Sequence, residues 1–476
     1  MPNIEPDFWR NLRDELVLGR QWIDRAVVLS YAVITGLVVV AFTLLSELAS
    51  HAHDSMRSSS VLASYGMLVW TPLLTVAVLW WGRRYAPAAL GGGIPRVIRA
   101  LDDDLPEVQR HWLVSLRVSM HQIGLVTVGM LAGLSMGREG PTVQVGAGVM
   151  VHARRWLSKD SGIDAHDLMV AGAAAGIAAA FNTPLGGIMF ALEKLSRRRA
   201  MSTSALMIVS ILIAGLVAVS VFGNLTYFGR LSVQTLNWSL LGPGLLVAVV
   251  AGLAGGLFSR LMVASVRGMP DVFSAWRRNF PLRFAAGCAL GVAVIGLVTN
   301  GATAGAGDVP TRALLDGQAD LPVVYTLLKF IATWLTAWTG VPAGVFAPSM
   351  AIGAGIGHDI ALLTGVGREL AIPLIALGMV GFLAATTQGP MTAFIIVMEM
   401  VAGQSMVLSL MACALLSSGV ARLVCKPMYT ELAGLLWLPP LPDAPVPPAP
   451  VDEAAVPGSG PGPQSPAPVA RHGAGD

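Results

Sequence analysis

Long apolar blocks recur along this chain, at roughly residues 26–46, 62–81, 112–136, 168–193, 205–222, 239–263, 284–299, 323–340 and 371–418, and they leave it few folds to choose from. At about 20 residues per crossing of a bilayer, they amount to ten or more passages. Backbone in lipid must satisfy its own hydrogen bonds, so spanning segments are helices or closed barrels, and blocks of this length select helices. The composition agrees: 54% of the 476 residues are hydrophobic and 12% are charged, about half the charge of a soluble domain. The expected class is an all-α membrane protein.

The remaining inventory excludes other classes. Lys and Arg number 31 against 28 Asp and Glu, a net charge of +3, whereas a nucleic-acid partner would need a concentrated basic face. Cys288, Cys413 and Cys425 lie in apolar stretches without metal-ligand spacing, so no disulfide framework, zinc site or other cofactor is signalled. No nucleophile and base pattern lies in the apolar blocks, so the chain does not read as an enzyme.

At the N-terminus, Phe8, Trp9, Leu12, Leu16, Trp22 and Ile23 fall at helical spacing among arginines and acids. That pattern suits a helix lying in the membrane surface or an ordinary surface helix, and residues 1–25 do not resemble a secretory signal. The last 38 residues, from Pro439, hold 12 of the 30 prolines with Ala, Gly and Ser, and are expected to be disordered. Basic residues cluster at Arg83 and Arg84, Arg96 and Arg99, Arg154 and Arg155, Lys194 with Arg197 to Arg199, Arg260 and Arg267, and Arg277, Arg278 and Arg283. The positive-inside rule places these in the cytoplasm, with both termini, and makes segments 47–61, 223–238 and 300–322 outer loops.

Two stretches repeat. PTVQVGAG from Pro141 matches PSMAIGAG from Pro348, an offset of 207. Downstream of each, a proline opens an apolar run ending in glutamate nine residues later, Pro184 to Glu193 and Pro390 to Glu399, at an offset of 206. Two matches in nearly one register indicate a duplicated unit. The first copy is flanked by arginines and the second is not, so the copies are expected to face opposite ways, an inverted repeat of the kind that places a site near the bilayer midplane. The expected organisation is an N-terminal cytoplasmic segment 1–25, a first transmembrane repeat 26–222, a second repeat 223–432 and a Pro/Ala/Gly-rich cytoplasmic tail 433–476.

The repeats are broken by glycine and proline. Gly91-Gly92-Gly93-Ile94-Pro95, Gly137-Arg138-Glu139-Gly140-Pro141 and Gly344-Val345-Phe346-Ala347-Pro348 each read as a glycine-bearing turn delivering the chain into a helix. Any one of them is a simple loop-to-helix turn. Three together aim free N–H groups and positive dipole ends into an apolar setting, where an anion is the natural ligand. Glu139 stands beside apolar MLAGLSM, ahead of a helix expected to begin at Pro141. An ionised carboxylate there costs ~3 kcal/mol unless stabilised. It reads as a group that competes with a permeant anion and yields on protonation, or as an ion pair with Arg138. Tyr429 offers a hydroxyl to an anion or anchors the chain at the interface. Glu193 and Glu399 cap helix packing or mark a polar path, and packing is the preferred reading.

GREGP from Gly137, GVFAP from Gly344, FNTPLGGIMFALE from Phe181, the tyrosine of KPMY at Tyr429, and GGGIP where GSGIP is usual together resemble the ClC family of chloride channels and transporters, over roughly residues 30 to 432. The resemblance implies a fold of two inverted-topology repeats with broken and re-entrant helices. It implies a homodimer with one pore per subunit in a lipid bilayer, here the inner membrane of a bacterium. Chloride and other small anions would be cradled by the backbone of Gly92, Gly93, Ile94, Val345 and Phe346 and by the Tyr429 hydroxyl. Glu139 matches the gating glutamate, where protons act. Two positions depart from the pattern. Gly92 replaces a serine whose hydroxyl coordinates chloride, and Lys194 occupies the position of the inner proton glutamate. The expected function is therefore ClC-type anion transport, as a gated chloride channel or a weakly proton-coupled transporter. A strict H+/Cl− antiporter is the alternative. A cation-coupled symporter of small solutes is a more distant one, since the breaks present helix N-termini rather than a carboxylate cluster.

Overall fold

Helices account for the regular structure in the computed structural model, which describes residues 19–159, 161–196, 205–223, 228, 238–318 and 321–440. Residues 1–18, Arg197 to Arg199 and the chain beyond 440, on which parts of the amphipathic, charge and tail expectations rest, lie outside the described residues. The chain divides into two units, Met1–Trp437 and Leu438–Asp476, and the helices belong to the first.

The first half comprises α1 (Gly19–Ser58), α2 (Val61–Tyr85), α3 (Gly93–Ala100), α4 (Glu107–Leu113), α5 (Leu116–Leu131), α6 (Glu139–Val151), α7 (Ala165–Phe181), α8 (Pro184–Phe190) and α9 (Ala205–Phe222). The second comprises α10 (Leu241–Arg267), α11 (Val272–Asn279), α12 (Pro281–Val298), α13 (Asp308–Leu315), α14 (Val324–Thr339), α15 (Phe346–Leu363), α16 (Arg368–Thr387), α17 (Pro390–Met400), α18 (Val407–Val424) and α19 (Met428–Gly434). Among the described residues, nine helical stretches are long and apolar enough to cross a membrane. Helices such as α6, at 13 residues, and α17, at 11, are too short to cross alone, as broken helices must be.

The halves meet through reciprocal contacts. Gly137 and Gly344, 207 positions apart, exchange two backbone hydrogen bonds, each N–H donating to the other's carbonyl at 2.8 Å. The carboxylate of Glu193 accepts from the N–H groups of Met391 (3.2 Å) and Thr392 (2.8 Å) at the start of α17. That of Glu399 accepts from Leu185 (3.2 Å) and Gly186 (2.8 Å) at the start of α8. Donors and acceptors stand at the repeat offset, so each half presents the same groups to the other, as the two-fold relation of an inverted repeat requires.

Glycine sets the packing in both halves. A Cβ at Gly146 on α6 would collide with the carbonyl of Gly172 on α7, and one at Gly172 with that of Gly146. Gly353 on α15 and Gly378 on α16 repeat the relation. Removing side chains lets backbones touch where lipid offers no hydrophobic drive for helix association. The central helices are consequently buried: every residue from Glu139 to Met150 in α6 is, as is most of α15. Outer helices expose Leu245, Leu253 and Leu257 on α10 and Leu408 and Leu423 on α18.

Three expectations from the sequence change. Helix α1 runs unbroken from Gly19 to Ser58, with no boundary at residue 25 and no loop over 47–58. The polar groups that suggested a loop are partnered instead: Glu47 pairs with Arg138 (3.0 Å), His53 Nδ1 bonds the carbonyl of Leu131 (3.2 Å), and Arg57 donates to Asn300 (3.0 Å). The 300–322 segment contains the helix α13. Helix α6 begins at Glu139 rather than Pro141, so the carboxylate lies within the first turn.

Candidate anion pathway

Three helix beginnings converge on the centre of the chain. Gly91, with a φ of +76°, turns the backbone in a conformation that suits glycine, Gly92 extends it, and α3 starts at Gly93. A Cβ at Gly93 would collide with the carbonyl of Gly140 in α6, so the first and second breaks are in backbone contact. The third, at Val345 and Phe346, lies against the second through the Gly137 and Gly344 pair. Each start leaves first-turn N–H groups without intrahelical acceptors.

These elements wall one cavity of about 470 Å³. Of the residues expected to hold an anion, Gly92, Gly93, Ile94, Val345 and Tyr429 line it together. Phe346 does not line it. Its ring lies behind, stacked on Tyr429 at 6.2 Å between centroids and flanked by Phe181 and Phe190. Tyr429 belongs to α19, a separate short helix, and not to the end of the preceding apolar block. Its hydroxyl is buried and has no hydrogen-bond partner among the described residues, a state that ordinarily costs about 1–3 kcal/mol. The interfacial-anchor alternative therefore does not describe this side chain.

The electrostatics of the cavity are one-sided. Arg83, Arg96, Arg267, Arg277 and Arg278 line it, and among the described residues no Asp or Glu does. Arg267 is partly neutralised by Glu431 (2.9 Å), and Arg277 donates to the carbonyl of Ser265. Ser265, Ser274 and Thr339 also line it, with their hydroxyls bonded to Leu261, Met269 and Thr336 of the surrounding helices and turns.

Glu139 is 1% exposed. Its carboxylate lies against the N–H of Ala347 in the first turn of α15 and its own N–H, while Oε2 is buried without a partner among the described residues. It acts electrostatically on Tyr429, which ties it to the same locality as the cavity. Arg138, the expected partner of Glu139, reaches away to Glu47. A second cavity of about 550 Å³ is lined by Arg138, Glu47, His51 and Asp308, among others. Asp308 is also close enough to act on Glu139. Glu139 itself lines neither cavity, but its chain neighbours do: Gly140 lines the first and Arg138 the second.

Lys194 is not part of this constellation. It is 9% exposed and its Nζ donates to the carbonyl of Thr387, the last residue of α16, at 2.5 Å. Two features of the region do not emerge from the sequence alone. Arg96 reads there only as a cytoplasmic charge but is buried in the cavity wall, and Gly140 joins the lining because the second break touches the first. An arginine one position after a proline that opens a helix carries the signal: in the first turn its side chain is held near the helix N-terminus.

The arrangement has relatives. The chain is 28% identical over 447 residues to the H(+)/Cl(−) exchange transporter ClcA of Citrobacter koseri, covering 87% of this chain and 90% of that one. It is 29% identical over 436 residues to the ClcA of Vibrio parahaemolyticus, covering 85% and 89%. Among solved structures it superposes on a slow cyanobacterial Cl−/H+ antiporter with a TM-score of 0.71 at 21% identity, covering 86% of this chain and 97% of the other. A CLC-type fluoride/proton antiporter matches with a TM-score of 0.66 at 23% identity, over 86% and 97%. The sequence model of voltage-gated chloride channels matches residues 73–422. This chain, an all-helical membrane protein of two inverted repeats, belongs to the voltage-gated chloride channel family.

Proposed function

We propose that the protein carries chloride and other small anions across a bacterial inner membrane as a homodimer, each subunit conducting through its own cavity, with Glu139 as the gate and little or no fixed coupling to protons. The observation that carries this reading is the cavity itself. Five arginines and, among the described residues, no carboxylate line it, together with the first turn of α3, Val345 at the cap of α15 and a tyrosine whose hydroxyl has no partner among the described residues. Such a set favours an anion by charge, by dipole and by hydrogen bonding, and offers nothing to a cation.

Gating follows from competition. The Glu139 carboxylate occupies amide donors at the opening of α6 and α15 that a permeating anion would use. A proton removes the charge that holds it there, so the anion replaces it and flux rises as pH falls. Asp308 and His51 in the second cavity would bring protons to Glu139 from that side, and the arginines of the first cavity would repel them. Under the positive-inside rule the arginine-lined cavity opens to the cytoplasm.

Lys194 supports weak coupling. A lysine whose Nζ donates to the Thr387 carbonyl stands where a carboxylate would collect protons, and it offers no carboxylate to do so. Strict exchange is the second reading, favoured by the exchange activity in the names of the ClcA relatives. The test is chloride efflux from liposomes holding purified protein. The parent should conduct more at acid than at neutral pH, and Glu139→Gln should conduct at both with the pH dependence lost. Absence of flux from both proteins overturns the proposal.

A further inference from the structure

Arg96 is the cavity arginine for which burial and lack of partners combine. It is 8% exposed, makes no ion pair or hydrogen bond among the described residues, and has Nε and Nη1 both buried without an acceptor. The only influence acting on it is burial, so no carboxylate among the described residues is placed to neutralise it. Leaving a guanidinium in this state costs more than leaving any neutral group, since the charge and its N–H donors are desolvated together. Its position is specific. The guanidinium folds back over the turn that opens α3: a Cβ at Gly91 would stand 3.9 Å from Nη1 and 4.0 Å from Nη2. Gly91, with its positive φ, leaves that space open. The first-turn amides of α3 and the guanidinium thus border the same corner of the cavity.

We infer that Arg96 forms a side-chain anion site at the arginine-lined mouth of the pathway and that it favours planar oxyanions, of which nitrate is the simplest, over spherical halides. The inference rests on the transport reading and adds a ligand class to it. A guanidinium is a flat fork of N–H donors whose spacing matches two oxygens of a planar anion, and a halide engages one point of that fork. Gly92 contributes no hydroxyl, so the turn beside Arg96 offers backbone amides and no side-chain donor to a halide. Discrimination in this corner therefore falls to the fork. Other cavity arginines have partners that Arg96 lacks: Arg267 has Glu431 and Arg277 has the Ser265 carbonyl.

The experiment compares nitrate and chloride efflux from the same proteoliposomes, for the parent protein, Arg96→Gln and Arg96→Lys, with calorimetric titration of nitrate and of chloride into each protein in detergent. The fork is worth roughly tenfold, the size of a charge-assisted hydrogen bond. The parent should bind nitrate more tightly than chloride. In both variants the ratio of nitrate to chloride flux should fall about tenfold, because lysine keeps the charge and loses the planar geometry. A ratio within twofold of the parent's in Arg96→Gln overturns the site, and an unchanged ratio in Arg96→Lys overturns the planar preference. If Arg96→Gln fails to elute as a dispersed particle, Arg96→Lys with the parent titration decides. Measurable flux with an unchanged ratio removes only the Arg96 site, whereas no flux of either anion through the parent removes the transport reading beneath it.

Discussion

Glu193 and Glu399 cap each other's partner helices: each carboxylate spans two backbone N–H groups at the N-terminus of the short helix that its counterpart's run begins, at matching distances of 2.8 and 3.2 Å. A side-chain cap of a helix N-terminus is worth about 0.5–2 kcal/mol, and these caps carry a formal charge against the dipole. Glu193→Ala and Glu399→Ala should therefore each destabilise the protein by about 1–2 kcal/mol, and by similar amounts, because the two sites are equivalent by the repeat. Thermal unfolding followed by circular dichroism in detergent measures this. A large effect at one site and none at the other would show that the geometric equivalence has no energetic counterpart.

Tyr429→Phe addresses the anion site with minimal change of shape. The hydroxyl is buried, has no protein partner among the described residues and faces the cavity wall, so its removal takes away a donor without stranding an acceptor. Chloride affinity measured by calorimetry should fall roughly three- to tenfold, the equivalent of one hydrogen bond. Stability without chloride should hold or rise slightly, because an unsatisfied polar group is gone. A loss of stability with chloride affinity intact would mean that the hydroxyl serves packing alone.

The repeat geometry can be probed by crowding it. At Gly172 and Gly378 a Cβ would strike the backbone carbonyl of the facing helix, Gly146 and Gly353 respectively. Backbone cannot yield as a flexible side chain can, so overpacking here costs at least about 1–3 kcal/mol. Gly172→Val and Gly378→Val should each lower the yield of dispersed protein and the unfolding temperature. A Val at Gly124, whose Cβ position is open, should be tolerated and controls for the added methyl groups. Equal tolerance of all three would mean that the close helix approach is not needed.

Much of this architecture is legible in the sequence because duplication leaves a numerical trace. The offsets of 207 and 206 identify equivalent positions that the structure uses reciprocally: Gly137 bonds Gly344, and Glu193 and Glu399 each cap the helix that leads to the other. The glycine and proline breaks also mark where helices start to within two residues, since proline is favoured in a first turn, although Pro72 in α2 and Pro373 in α16 lie inside helices and mark no start. The identity of partners across elements is what a linear sequence hides. The polar stretch over 47–58 reads as a loop because Glu47, His53 and Arg57 are costly in a membrane helix, and only the fold supplies Arg138, Leu131 and Asn300 to receive them. Arg96 is hidden for the same reason. A charge beside others in sequence reads as solvated until the chain is folded around it.

Asp271 lies outside the apolar spans and caps α11, its Oδ1 accepting from the N–H of Ser274 at 2.5 Å. That hydrogen bond, which favours the ionised form, holds its carboxyl below the usual aspartate range. Its stabilising effect is thus complete above the ordinary aspartate pKa and fades as pH falls through the lowered folded value. Asp271→Ala should loosen α11 at neutral pH, read as faster amide exchange over Val272–Asn279, and the difference from the parent should shrink toward pH 3. An exchange difference that persists undiminished in acid would assign the effect to something other than the carboxylate.

Lys194 carries the prediction about coupling. Its ammonium is buried and donates to the Thr387 carbonyl at the end of α16, where the helix dipole also favours a cation. The side chain thus presents N–H donors to a backbone carbonyl and no carboxylate that could hand protons onward. Under the proposed gating by Glu139, protonation would open the path without delivering a proton across it. The reversal potential of reconstituted protein should accordingly follow the chloride gradient and move little when a pH gradient is imposed. Lys194→Gln, which keeps a donor to Thr387 and removes the charge, should retain that behaviour with about a twofold to fivefold change in flux at most, because the side chain does not line the anion cavity. A parent reversal potential that shifts with the pH gradient by the amount a constant exchange ratio demands would place this chain with the exchangers instead, and would require a proton route that bypasses Lys194.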